Sequence, residues 1–369
     1  MKFNINSRAL EKILAKILPV IPAKTPAAQI ENFLFQINEN LLTVTATDLE
    51  LFLQSSITVD ATEDFEGLIP AKLFFDIIKS LPDAQLSFET TSGSKLKLKT
   101  DSGTYHVGYT ENVDFPVIPS INYTKQFNLS GKTLKRALDQ SIFAIGKEPL
   151  KAAMTGLLFD FTDEGLKFVA TDGHKLVRFI NKTVRFSEPE QIIVPEKAIS
   201  ILIKLINDDN VDIHYTSTNV HFKLGDISMI SVLIAQKYPA YNSVIPLENE
   251  NILKIDADPL LTAVKRMQVF ANSNFQQVKM SVSEKVVELS TEDIDHGSSG
   301  CETVECEYIG SPMNIGFNTS FLFEVLNHLK NEKIVFRFDT PTRAAIIENT
   351  AAKEDEDLLM LLMPVRLNS

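Results

Sequence analysis

The chain has 369 residues, of which 44% are hydrophobic and 23% are charged, as in ordinary globular proteins. This length is too great for one hydrophobic core and predicts two or three domains. The formal net charge of −12, taken alone, argues against nucleic acid as a partner, because contacts to phosphates need basic residues.

The sequence predicts a cytoplasmic protein that does not enter a membrane. No apolar run reaches the roughly 20 residues that span a bilayer, and the start Met1–Asn4 alternates like a strand and has no apolar core of a signal peptide. The two cysteines, Cys301 and Cys306, fit a reducing compartment. Only His296 lies near them in the sequence, whereas a structural zinc site requires four ligands, so we expect neither a metal nor a cofactor.

The same order of segments occurs three times along the chain. Phe3 to Phe127 is a step of 124 residues, and Phe127 to Leu253 is a step of 126. The matching segments are Lys2–Asn6, Thr43–Asp48 and Phe115–Pro119 in the first copy, Gln126–Ser130, Phe168–Asp172 and Tyr238–Pro239 in the second, and Ile252–Asp256, Val287–Glu292 and Met363–Pro364 in the third. A period of this size is that of a whole domain, so we predict three copies of one fold, at residues 1–124, 125–250 and 251–369.

Each copy is predicted to contain two amphipathic helices and several strands. Apolar side chains recur at helical spacing in Ser7–Ile17, Lys72–Lys79, Ser130–Gln140, Glu196–Lys204, Asp258–Phe270 and Thr319–Lys330. Ser or Asp is expected to cap the first helix of each copy, with Pro259 at a first helical position. Alternating or β-branched runs predict strands at Leu41–Thr47, Leu86–Thr90, Lys95–Thr100, Leu166–Ala170, Val211–Thr216, Val286–Ser290 and Lys333–Asp339. The fold class is therefore α+β, with helices packed on one face of antiparallel sheet.

Positive charge is concentrated in the six predicted helices. They contain thirteen Lys and Arg against six Asp and Glu, a net charge of +7, which leaves −19 for the rest of the chain. If the helices share one side of the protein, they form a basic surface that suits phosphate backbones and reads no base sequence. The acidic remainder would discourage DNA from binding elsewhere. The alternative is that these lysines are the ordinary charges of solvated helix faces.

Two strand candidates near opposite ends of the chain carry opposite charges. Lys95, Lys97 and Lys99 alternate along one strand of the first copy, so they project from one face. A late strand of the third copy carries Glu302, Glu305 and Glu307. A basic edge and an acidic edge predict a head-to-tail contact between subunits, which closes into a ring if the rotation permits. Alternatively, both are unrelated edge strands that their charges protect from aggregation.

Five segments together resemble a known family. They are Met1–Phe3, Ile69–Ile77, Asp114–Pro116, Thr171–Leu176 and Met363–Leu367, and the most diagnostic is Thr-Asp-Gly-His-Lys-Leu at 171–176. In this order they closely resemble the bacterial DNA polymerase III beta subunit family, the sliding clamps. The resemblance covers essentially the whole chain, in register, through all three copies. No single segment is decisive, but the ordered set is highly specific.

The resemblance implies three tandem DNA-clamp domains and a head-to-tail dimeric ring, with twelve helices around a central hole and continuous sheet outside. Such a ring is a DNA sliding clamp and processivity factor, which encircles duplex DNA without sequence specificity and tethers the replicative DNA polymerase. The implied partners are double-stranded DNA, the replicative polymerase, the clamp loader, other proteins with clamp-binding motifs and a second copy of the chain. The resemblance implies no catalytic site and no cofactor.

The family also has a hydrophobic pocket for short peptide motifs of its partners. Carried over residue by residue, this pocket consists of Met154, Thr171, Gly173, His174, Lys175, Leu176, Pro239, Val244, Leu361, Leu362, Met363, Pro364, Val365 and Arg366. Met154 stands where the family often has Leu, Lys175 where Arg is frequent, and Ser243 where some members have Arg. Independently, the apolar run Leu358–Met363 near the chain end predicts an open groove for apolar anchors. A final buried strand is the alternative for part of that run.

DNA contacts and dimer contacts carry over in the same way. Lys24, Lys147, Lys151 and Lys197 lie at or beside family positions that contact the duplex, and the basic helices add Lys72, Lys79 and Lys204. Ala152 and Ala153 occupy a stretch where some members have aromatic residues. The expected dimer interface consists of the apolar positions Tyr105, Val269 and Phe270 and of the charged side chains Lys95, Lys97, Lys99, Glu302, Glu305 and Glu307.

An enzyme and a scaffold that binds only proteins are the rival interpretations. Asp172, Gly173 and His174 with Lys175 would give a general acid–base cluster, but neighbours on a strand point to opposite faces and rarely converge. With 14 glycines, the chain has no Gly-rich phosphate loop, no metal-ligand spacing and no Gly-x-Ser-x-Gly string, so we predict a protein that is not an enzyme. A scaffold leaves the basic helices unexplained, and a DNA-retention assay separates it from a clamp.

Overall fold

The structure, a computed structural model, describes residues 1–111, 114–119, 125–273, 275–350 and 353–367. The predicted limit between the first two copies, at residue 124, lies outside these ranges. Within them, no helix combines the length and the apolar character that crossing a membrane requires.

The described residues form six α-helices, two in each copy. Their bounds are α1 (Ser7–Ile17), α2 (Ala71–Ser80), α3 (Gly131–Ser141), α4 (Glu196–Leu205), α5 (Ala257–Phe270) and α6 (Thr319–His328). All six predicted helices are therefore present, displaced by at most two residues at their ends. Pro259 is the third residue of α5 and not the first, and Lys330 lies beyond α6.

Twenty-six strands follow the same threefold order in the described residues. The first copy holds β1 (Lys2–Asn6), β2 (Asn32–Asn38), β3 (Leu41–Thr47), β4 (Leu51–Thr58), β5 (Asp60–Ala61), β6 (Phe65–Pro70), β7 (Gln85–Thr91), β8 (Lys95–Lys99) and β9 (Thr104–Gly108). The second holds β10 (Lys125–Ser130), β11 (Gly156–Phe161), β12 (Leu166–Thr171), β13 (Lys175–Asn181), β14 (Glu190–Pro195), β15 (Asn210–Tyr215), β16 (Asn219–Leu224) and β17 (Ile227–Val232). The third holds β18 (Asn251–Asp256), β19 (Gln277–Val282), β20 (Val286–Asp293), β21 (Ser298–Glu305), β22 (Glu307–Ile309), β23 (Met313–Asn318), β24 (Lys333–Phe338), β25 (Ala345–Asn349) and β26 (Glu356–Leu362).

The cap of α1 lies one residue earlier than expected. Asn6, the last residue of β1, caps the helix, because its side-chain oxygen accepts hydrogen bonds from the backbone N–H groups of Arg8 (2.9 Å) and Ala9 (3.1 Å). Asn318, the last residue of β23, caps α6 in the same way. The expectation that Ser7 caps α1 was wrong, since Ser7 is the buried first residue of the helix.

One compact unit consists of Met1–Leu134 and Lys197–Leu233. It contains a five-stranded sheet in the order β5-β1-β7-β8-β9 and an eight-stranded sheet in the order β10-β15-β16-β17-β4-β3-β2-β6. Neighbouring strands are antiparallel throughout. Four strands of the eight-stranded sheet belong to the first copy and four to the second, and β17 and β4 join them.

The other compact unit consists of Lys135–Glu196 and Ile234–Ser369. It contains a nine-stranded sheet in the order β14-β11-β12-β13-β26-β25-β24-β18-β22 and a four-stranded sheet in the order β21-β20-β19-β23, again antiparallel. In the nine-stranded sheet, β13 of the second copy pairs with β26 of the third. The structure thus bears out an α+β fold built from three tandem copies, whose sheets continue from one copy into the next.

The strand register corrects one detail of the alignment between the copies. The residue immediately before the second helix of each copy is Pro70, Pro195 or Asn318. Its cross-strand partner is Asn32 in the first copy, Gly156 in the second and Gln277 in the third. Two residues further on, Leu34, Leu158 and Lys279 pair with Thr45, Val169 and Ser290, which are therefore equivalent. The sequence segments placed Thr291 beside Thr47 and Thr171, and the register places Thr291 with Ala46 and Ala170 instead.

Helices bury their apolar stripes against the sheets within each unit. In the first unit, Leu10 and Leu14 of α1 are fully buried, and Phe74 of α2 packs edge-on against Phe35 of β2, with ring centroids 5.4 Å apart. Burial of a large apolar side chain contributes about 1.5–3 kcal/mol. The predicted stripes are thus core, and the basic side chains lie on the remaining helix faces.

Candidate functional site

Several of the residues predicted to form a peptide pocket lie where β13 meets β26 in the second unit. In this ladder, Lys175 pairs with Leu362 and Leu176 with Leu361. One residue beyond β26, the Met363 N–H donates to the carbonyl oxygen of His174 at 2.8 Å and extends the pairing. The register therefore places the Thr-Asp-Gly-His-Lys-Leu segment beside the C-terminal apolar run, although the two lie far apart in sequence.

A tight turn connects β12 to β13 and presents two pocket residues to solvent. One oxygen of Asp172, Oδ1, accepts hydrogen bonds from the backbone N–H groups of His174 (2.8 Å) and Lys175 (2.9 Å). Gly173 has a φ of +91°, a conformation that side-chain-bearing residues rarely adopt. Thr171 Oγ1 donates to the Lys175 carbonyl oxygen at 2.7 Å. These contacts fix the turn and leave Gly173 and His174 exposed.

The buried side chain of Lys175 connects the turn to helix α6. This side chain is 6% exposed, and its Nζ lies 2.6 Å from Asp172 Oδ2, 3.1 Å from Glu324 Oε2 and 4.4 Å from the Phe321 ring centroid. Burial by itself raises the pKa of Asp172, but hydrogen bonds from Lys175 and the backbone N–H of His174 outweigh it and lower this pKa. The ammonium is therefore held by two carboxylates and an aromatic face, and it presents no free charge to a ligand.

The fourteen predicted pocket residues divide into buried and open members. Leu176, Leu361 and Leu362 are at most 3% exposed. Leu176 and Leu361 belong to a cluster with Leu158, Val169, Tyr238 and Tyr241. For Leu361 and Leu362, the alternative interpretation as a final buried strand is right. The open apolar members are Val244 and Met363, with Met154, Pro239, Pro364 and Val365 half-buried and Arg366 exposed.

Two tyrosines hold the segment that carries Pro239 and Val244. The Tyr238 hydroxyl donates to the Val169 carbonyl oxygen at 3.3 Å, and the Tyr241 hydroxyl donates to Asp160 Oδ2 at 2.5 Å. Burial, and for Tyr241 also the Asp160 carboxylate, raises the pKa of both phenols, so they remain protonated donors. The segment is thereby fixed on the sheet face that contains Leu176 and Leu361.

A cavity of about 410 Å³ opens beside the turn, and sequence reasoning missed most of its wall. It is lined by Phe143, Ile145, Gly146, Lys147, Glu148, Lys151, Met154, Asp172, His174, Lys175, Phe321 and Glu324. The Phe321 ring lies 5.5 Å from the His174 ring at an interplanar angle of 23°. Phe321 and Glu324 belong to α6, where the sequence shows only a helical stripe and no signal of a site.

The C-terminal tail packs back onto the four-stranded sheet. Val365 forms a β-bridge with Gly316, donating its N–H to the Gly316 carbonyl oxygen at 2.8 Å. A Cβ at residue 316 would lie 2.7 Å from the Val365 carbonyl oxygen, so this approach requires glycine. Gln277 Nε2 donates to the Arg366 carbonyl oxygen at 3.1 Å. Pro364, Val365 and Arg366 therefore have fixed positions.

The candidate DNA-binding lysines are all exposed, but several are held by neighbouring groups. Within the observed bounds, the six helices carry twelve Lys and Arg against six Asp and Glu. Lys24, Lys72, Lys79, Lys197 and Lys204 lie in the first unit, and Lys147 and Lys151 lie in the second. Lys197 forms an ion pair with Asp48, Lys147 with Glu196, and Lys151 with Glu148 at 3.0 Å. Ala153 packs against the buried cluster of the second unit, so it is not presented to DNA as a free side chain.

The charged strands predicted as opposing edges are placed differently from the expectation. Lys95, Lys97 and Lys99 lie on β8, which is covered on both sides by β7 and β9, because the turn at 101–103 folds β9 back onto it. Glu302 and Glu305 do lie on β21, the last strand of its sheet. Glu307 lies on β22 in another sheet, so its grouping with the other two was wrong.

Glu302 already has a partner within its own unit. Its carboxylate forms a two-point ion pair with Arg266 of α5, with Arg266 Nε 2.8 Å from Oε2, and this hydrogen bond lowers the pKa of Glu302. The apolar interface candidates are placed as expected for open surface. Tyr105 on β9 is 39% exposed, and Val269 and Phe270 at the end of α5 are 81% and 38% exposed.

Asp172 and His174 do not form an acid–base pair. The Asp172 carboxylate faces Lys175 and the backbone of its own turn, while the His174 ring stacks on Phe321. Among the described residues, no group of three His, Cys, Asp or Glu side chains is arranged to hold a metal ion.

Three comparisons with known proteins agree on one family. Models of the DNA polymerase III beta subunit match the chain at residues 1–119 (N-terminal domain), 128–240 (central domain) and 242–366 (C-terminal domain). The chain is 25% identical over 372 residues to the beta sliding clamp of Vibrio cholerae and 26% identical over 370 residues to that of Escherichia coli, covering 100% of each chain.

Solved structures give the same result for the fold. The chain resembles the DNA polymerase III subunit beta from Pseudomonas aeruginosa with a TM-score of 0.94 at 27% identity, and the DNA polymerase sliding clamp from Caulobacter crescentus with a TM-score of 0.92 at 26% identity. Both matches cover 100% of both chains. The resemblance seen in the sequence is thereby confirmed, and the chain belongs to the DNA polymerase III beta subunit family.

Proposed function

We propose that the chain works as a DNA sliding clamp and processivity factor, as a homodimeric ring that encircles duplex DNA and tethers the replicative DNA polymerase. One observation carries the ring. The sheets of successive copies are fused by β17 with β4 and by β26 with β13, and β9 and β21 are the equivalent strands whose outer side ends a sheet. A chain that leaves one strand of each kind open at the edge of a sheet can join a second copy head to tail, and two copies close a circle.

The distribution of charge supports binding to DNA without sequence specificity. The helices are net basic in a chain of charge −12, and the seven candidate lysines are exposed. Lysines contact phosphates as point charges and carry no base information. Ion pairs such as Lys197 with Asp48 moderate the attraction, because a phosphate must displace a carboxylate to bind. Weak, diffuse attraction suits a ring that slides.

The pocket of the second unit supports docking of linear motifs. Val244 and Met363 offer open apolar surface, Met154 adds a half-buried apolar side chain, and Gly173 and His174 are exposed residues of a fixed turn. Apolar anchors of a short peptide fit such a groove. The partners are the replicative polymerase, the clamp loader and other proteins with clamp-binding motifs. We place the protein in the cytoplasm, where replication takes place in bacteria, and assign it no catalytic role and no cofactor.

The test is topological retention on DNA. The protein is loaded on a nicked circular plasmid with a clamp loader and ATP and then separated from free protein by gel filtration. We expect it to stay on the circle and to run off when a restriction enzyme linearises the plasmid. Equal retention on both forms contradicts the ring. No retention on either form favours a scaffold that binds only proteins.

A further inference from the structure

A second cavity opens on the sheet face that contains Leu176 and Leu361. Its volume is about 330 Å³, and its lining comes from the segment 245–249 and from β13, β24, β25 and β26. Ile346 and Leu359 line it and also belong to the buried cluster of this face. Its lining contains none of the fourteen predicted pocket residues, so the cavity is a separate feature beside the predicted peptide pocket.

The strand register connects this cavity to the predicted peptide pocket. Leu361 of β26 lies opposite Ile346 of β25, and Ile346 lies opposite Arg337 of β24. Opposite residues of antiparallel strands share one face of the sheet, so these three side chains form one row. Leu361 is a predicted pocket residue, whereas Ile346 and Arg337 line the cavity. Because neighbouring strands are about 4.8 Å apart, the row covers about 10 Å, which is the length of about three residues of an extended peptide.

Two polar atoms of the cavity lining are buried and have no hydrogen-bond partner in the described part of the chain. They are Arg178 Nε, a donor, and Asn249 Oδ1, an acceptor. Asn249 is 8% exposed, and its Nδ2 donates to the carbonyl oxygens of Arg337 (2.9 Å) and Ala344 (3.1 Å), so its side chain is held in place. Buried polar atoms in proteins almost always have partners. An open donor and an open acceptor beside one cavity therefore point to a ligand that both accepts and donates.

The charged side chains of the lining favour a ligand with a negative charge. Arg178 and Arg337 line the cavity together with one acid, Glu348. Arg337 donates from Nε to Glu348 Oε2 at 2.9 Å, and Arg178 donates from Nη2 to Oδ1 of Asp357, outside the lining, at 3.3 Å. A guanidinium has five N–H donors and binds a carboxylate best through two of them. Each arginine thus uses one nitrogen for its acid and keeps donors for a further carboxylate.

We propose that this cavity binds an acidic residue of the same linear peptide whose apolar anchors dock in the predicted peptide pocket, about three residues from the anchor nearest Leu361. The proposal rests on the docking of linear motifs proposed above and adds one feature to those motifs, a carboxylate at a fixed spacing. The carboxylate accepts hydrogen bonds from Arg178 and Arg337, and a main-chain N–H of the peptide donates to Asn249 Oδ1. Leu247, which is 95% exposed, offers apolar surface at the rim.

The first unit supports an occupant that comes from the peptide. The strand pairs that start from the equivalent residues of the copies place Gln54 where the second unit has Arg178, and His214 where it has Arg337. The arginine pair thus lies on the sheet that carries the predicted peptide pocket. This placement connects the two arginines to a ligand of that pocket, and charge complementarity makes the matching group of the ligand a carboxylate.

Peptides that differ in one functional group test the proposal. The parent is a fluorescein-labelled peptide with the clamp-binding motif of the replicative polymerase, extended by alanines on both sides of its apolar anchors. One alanine at a time is replaced by Asp, or by Asn as the uncharged match, and anisotropy gives the Kd of each peptide. The ratio of the Asn-peptide Kd to the Asp-peptide Kd measures the preference for a carboxylate. We expect a preference of about fivefold to tenfold at one position, about three residues from the anchor.

Substitutions of arginine assign that preference to the cavity. Arg337→Gln removes the charge at the end of the row and should abolish the preference. Arg343→Gln is the matched control and should keep it, because Arg343 pairs with Asp339 at 2.6 Å and does not line the cavity. The ratio compares two peptides on one protein, so a general loss of affinity cancels. Arg178→Gln is the second variant, for the case that Arg337→Gln does not fold.

Each outcome decides a different point. Equal Kd values for the Asp and Asn peptides at every position overturn the assignment of the cavity, and binding of the parent peptide then leaves the proposed docking of linear motifs intact. A preference that Arg343→Gln lowers as much as Arg337→Gln is an effect of net charge and overturns the assignment as well. A parent peptide that does not bind the wild-type chain overturns the docking of linear motifs, and this proposal with it.

Discussion

Two strand pairs, β17 with β4 and β26 with β13, join successive copies of the fold within the chain, and we call them the sealed joints. The open edges at β9 and β21 are made from equivalent strands, yet their side chains differ from those of the sealed joints. At the sealed joints, the central pairs are Met229 with Leu53 and Met360 with Val177, and all are fully buried. At the open edges, the cross-strand pairs lead to Tyr105 and Gly300 as the corresponding positions, and polar residues such as Thr104 and Ser299 flank them. A joint that the chain holds permanently is a piece of core. The edges that we propose to join two copies are instead polar at their margin and carry one aromatic residue, Tyr105.

The largest expected effect is loss of stability at a sealed joint. Met360→Ala removes a fully buried side chain from the β13–β26 ladder and leaves a cavity. We expect a destabilisation of about 2–5 kcal/mol, measured as a shift of the urea unfolding transition. Leu41→Ala, at a side chain that is 46% exposed, is the control and should change stability by less than about 0.5 kcal/mol.

The equivalent substitution at the open edge should act on association and not on folding. Tyr105→Ala removes the anchor of the proposed subunit joint, and we expect the dimer Kd to rise about tenfold to hundredfold, or about 1.4–2.8 kcal/mol. Sedimentation equilibrium measures the Kd, and urea unfolding of the monomer checks that the fold is intact. If Tyr105→Ala unfolds the protein as Met360→Ala does, the distinction between the two kinds of joint is lost.

The two sealed joints also differ from each other, at the end where we propose the peptide pocket. Met363 in the second unit and Val232 in the first are equivalent, both donate their N–H across a joint, and they are 40% and 38% exposed. Only Met363 is followed by the fixed tail. Met363→Ala should weaken binding of a polymerase-derived peptide about tenfold, which is the value of one buried apolar side chain, while the dimer Kd stays unchanged.

Val232→Ala is the matched control for that substitution, and fluorescence anisotropy with a labelled peptide is the measurement. We expect wild-type affinity for this control. Equal losses of affinity in both variants would mean that the substitutions act through the sheet, and the pocket assignment would then fall.

Much of the fold follows from periodicity. The spacing of Leu10, Ile13, Leu14 and Ile17 predicts α1 because one face of a helix must be apolar to be buried, and the structure buries all four. The ends of helices and their caps were harder to predict from the sequence. Asn6 caps α1 through its side-chain oxygen, and its neighbour Ser7 is also a residue type that caps helices. Fusion of sheets across copies is a matter of tertiary pairing, which no local pattern encodes.

The residues of the candidate site could be predicted only from the resemblance to the family, position by position. His174 and Met363 are adjacent in space because β13 and β26 pair in one register, and nothing in either segment specifies its partner. Phe321 and Glu324 were missed, because on α6 they look like an ordinary apolar position and an ordinary surface acid. Lys95, Lys97 and Lys99 were correctly placed on one strand, but alternation along a strand does not reveal whether another strand covers its edge.

The smallest expected effect concerns the charges on the helices beside a sealed joint. Lys197 of α4 forms an ion pair with Asp48 of the first copy, whereas its equivalent on α2, Lys72, meets the carbonyl oxygen of Ala23 at 3.4 Å. If carboxylates moderate the attraction to DNA, Asp48→Asn should free one cation and raise affinity for duplex DNA about two- to fivefold at low salt. The slope of log K against log salt should steepen by about 1, because one more phosphate contact forms.

Asp163→Asn changes the net charge equally on an exposed turn and serves as the control for that comparison. Anisotropy titrations of a labelled duplex at several salt concentrations give both quantities, the affinity and the slope. A rise in affinity shared by both variants would be an effect of net charge alone, since long-range attraction does not depend on which acid is neutralised. A rise with a steeper slope in Asp48→Asn alone would place Lys197 at the phosphate backbone, and unchanged binding in both would remove Lys197 from the DNA contact.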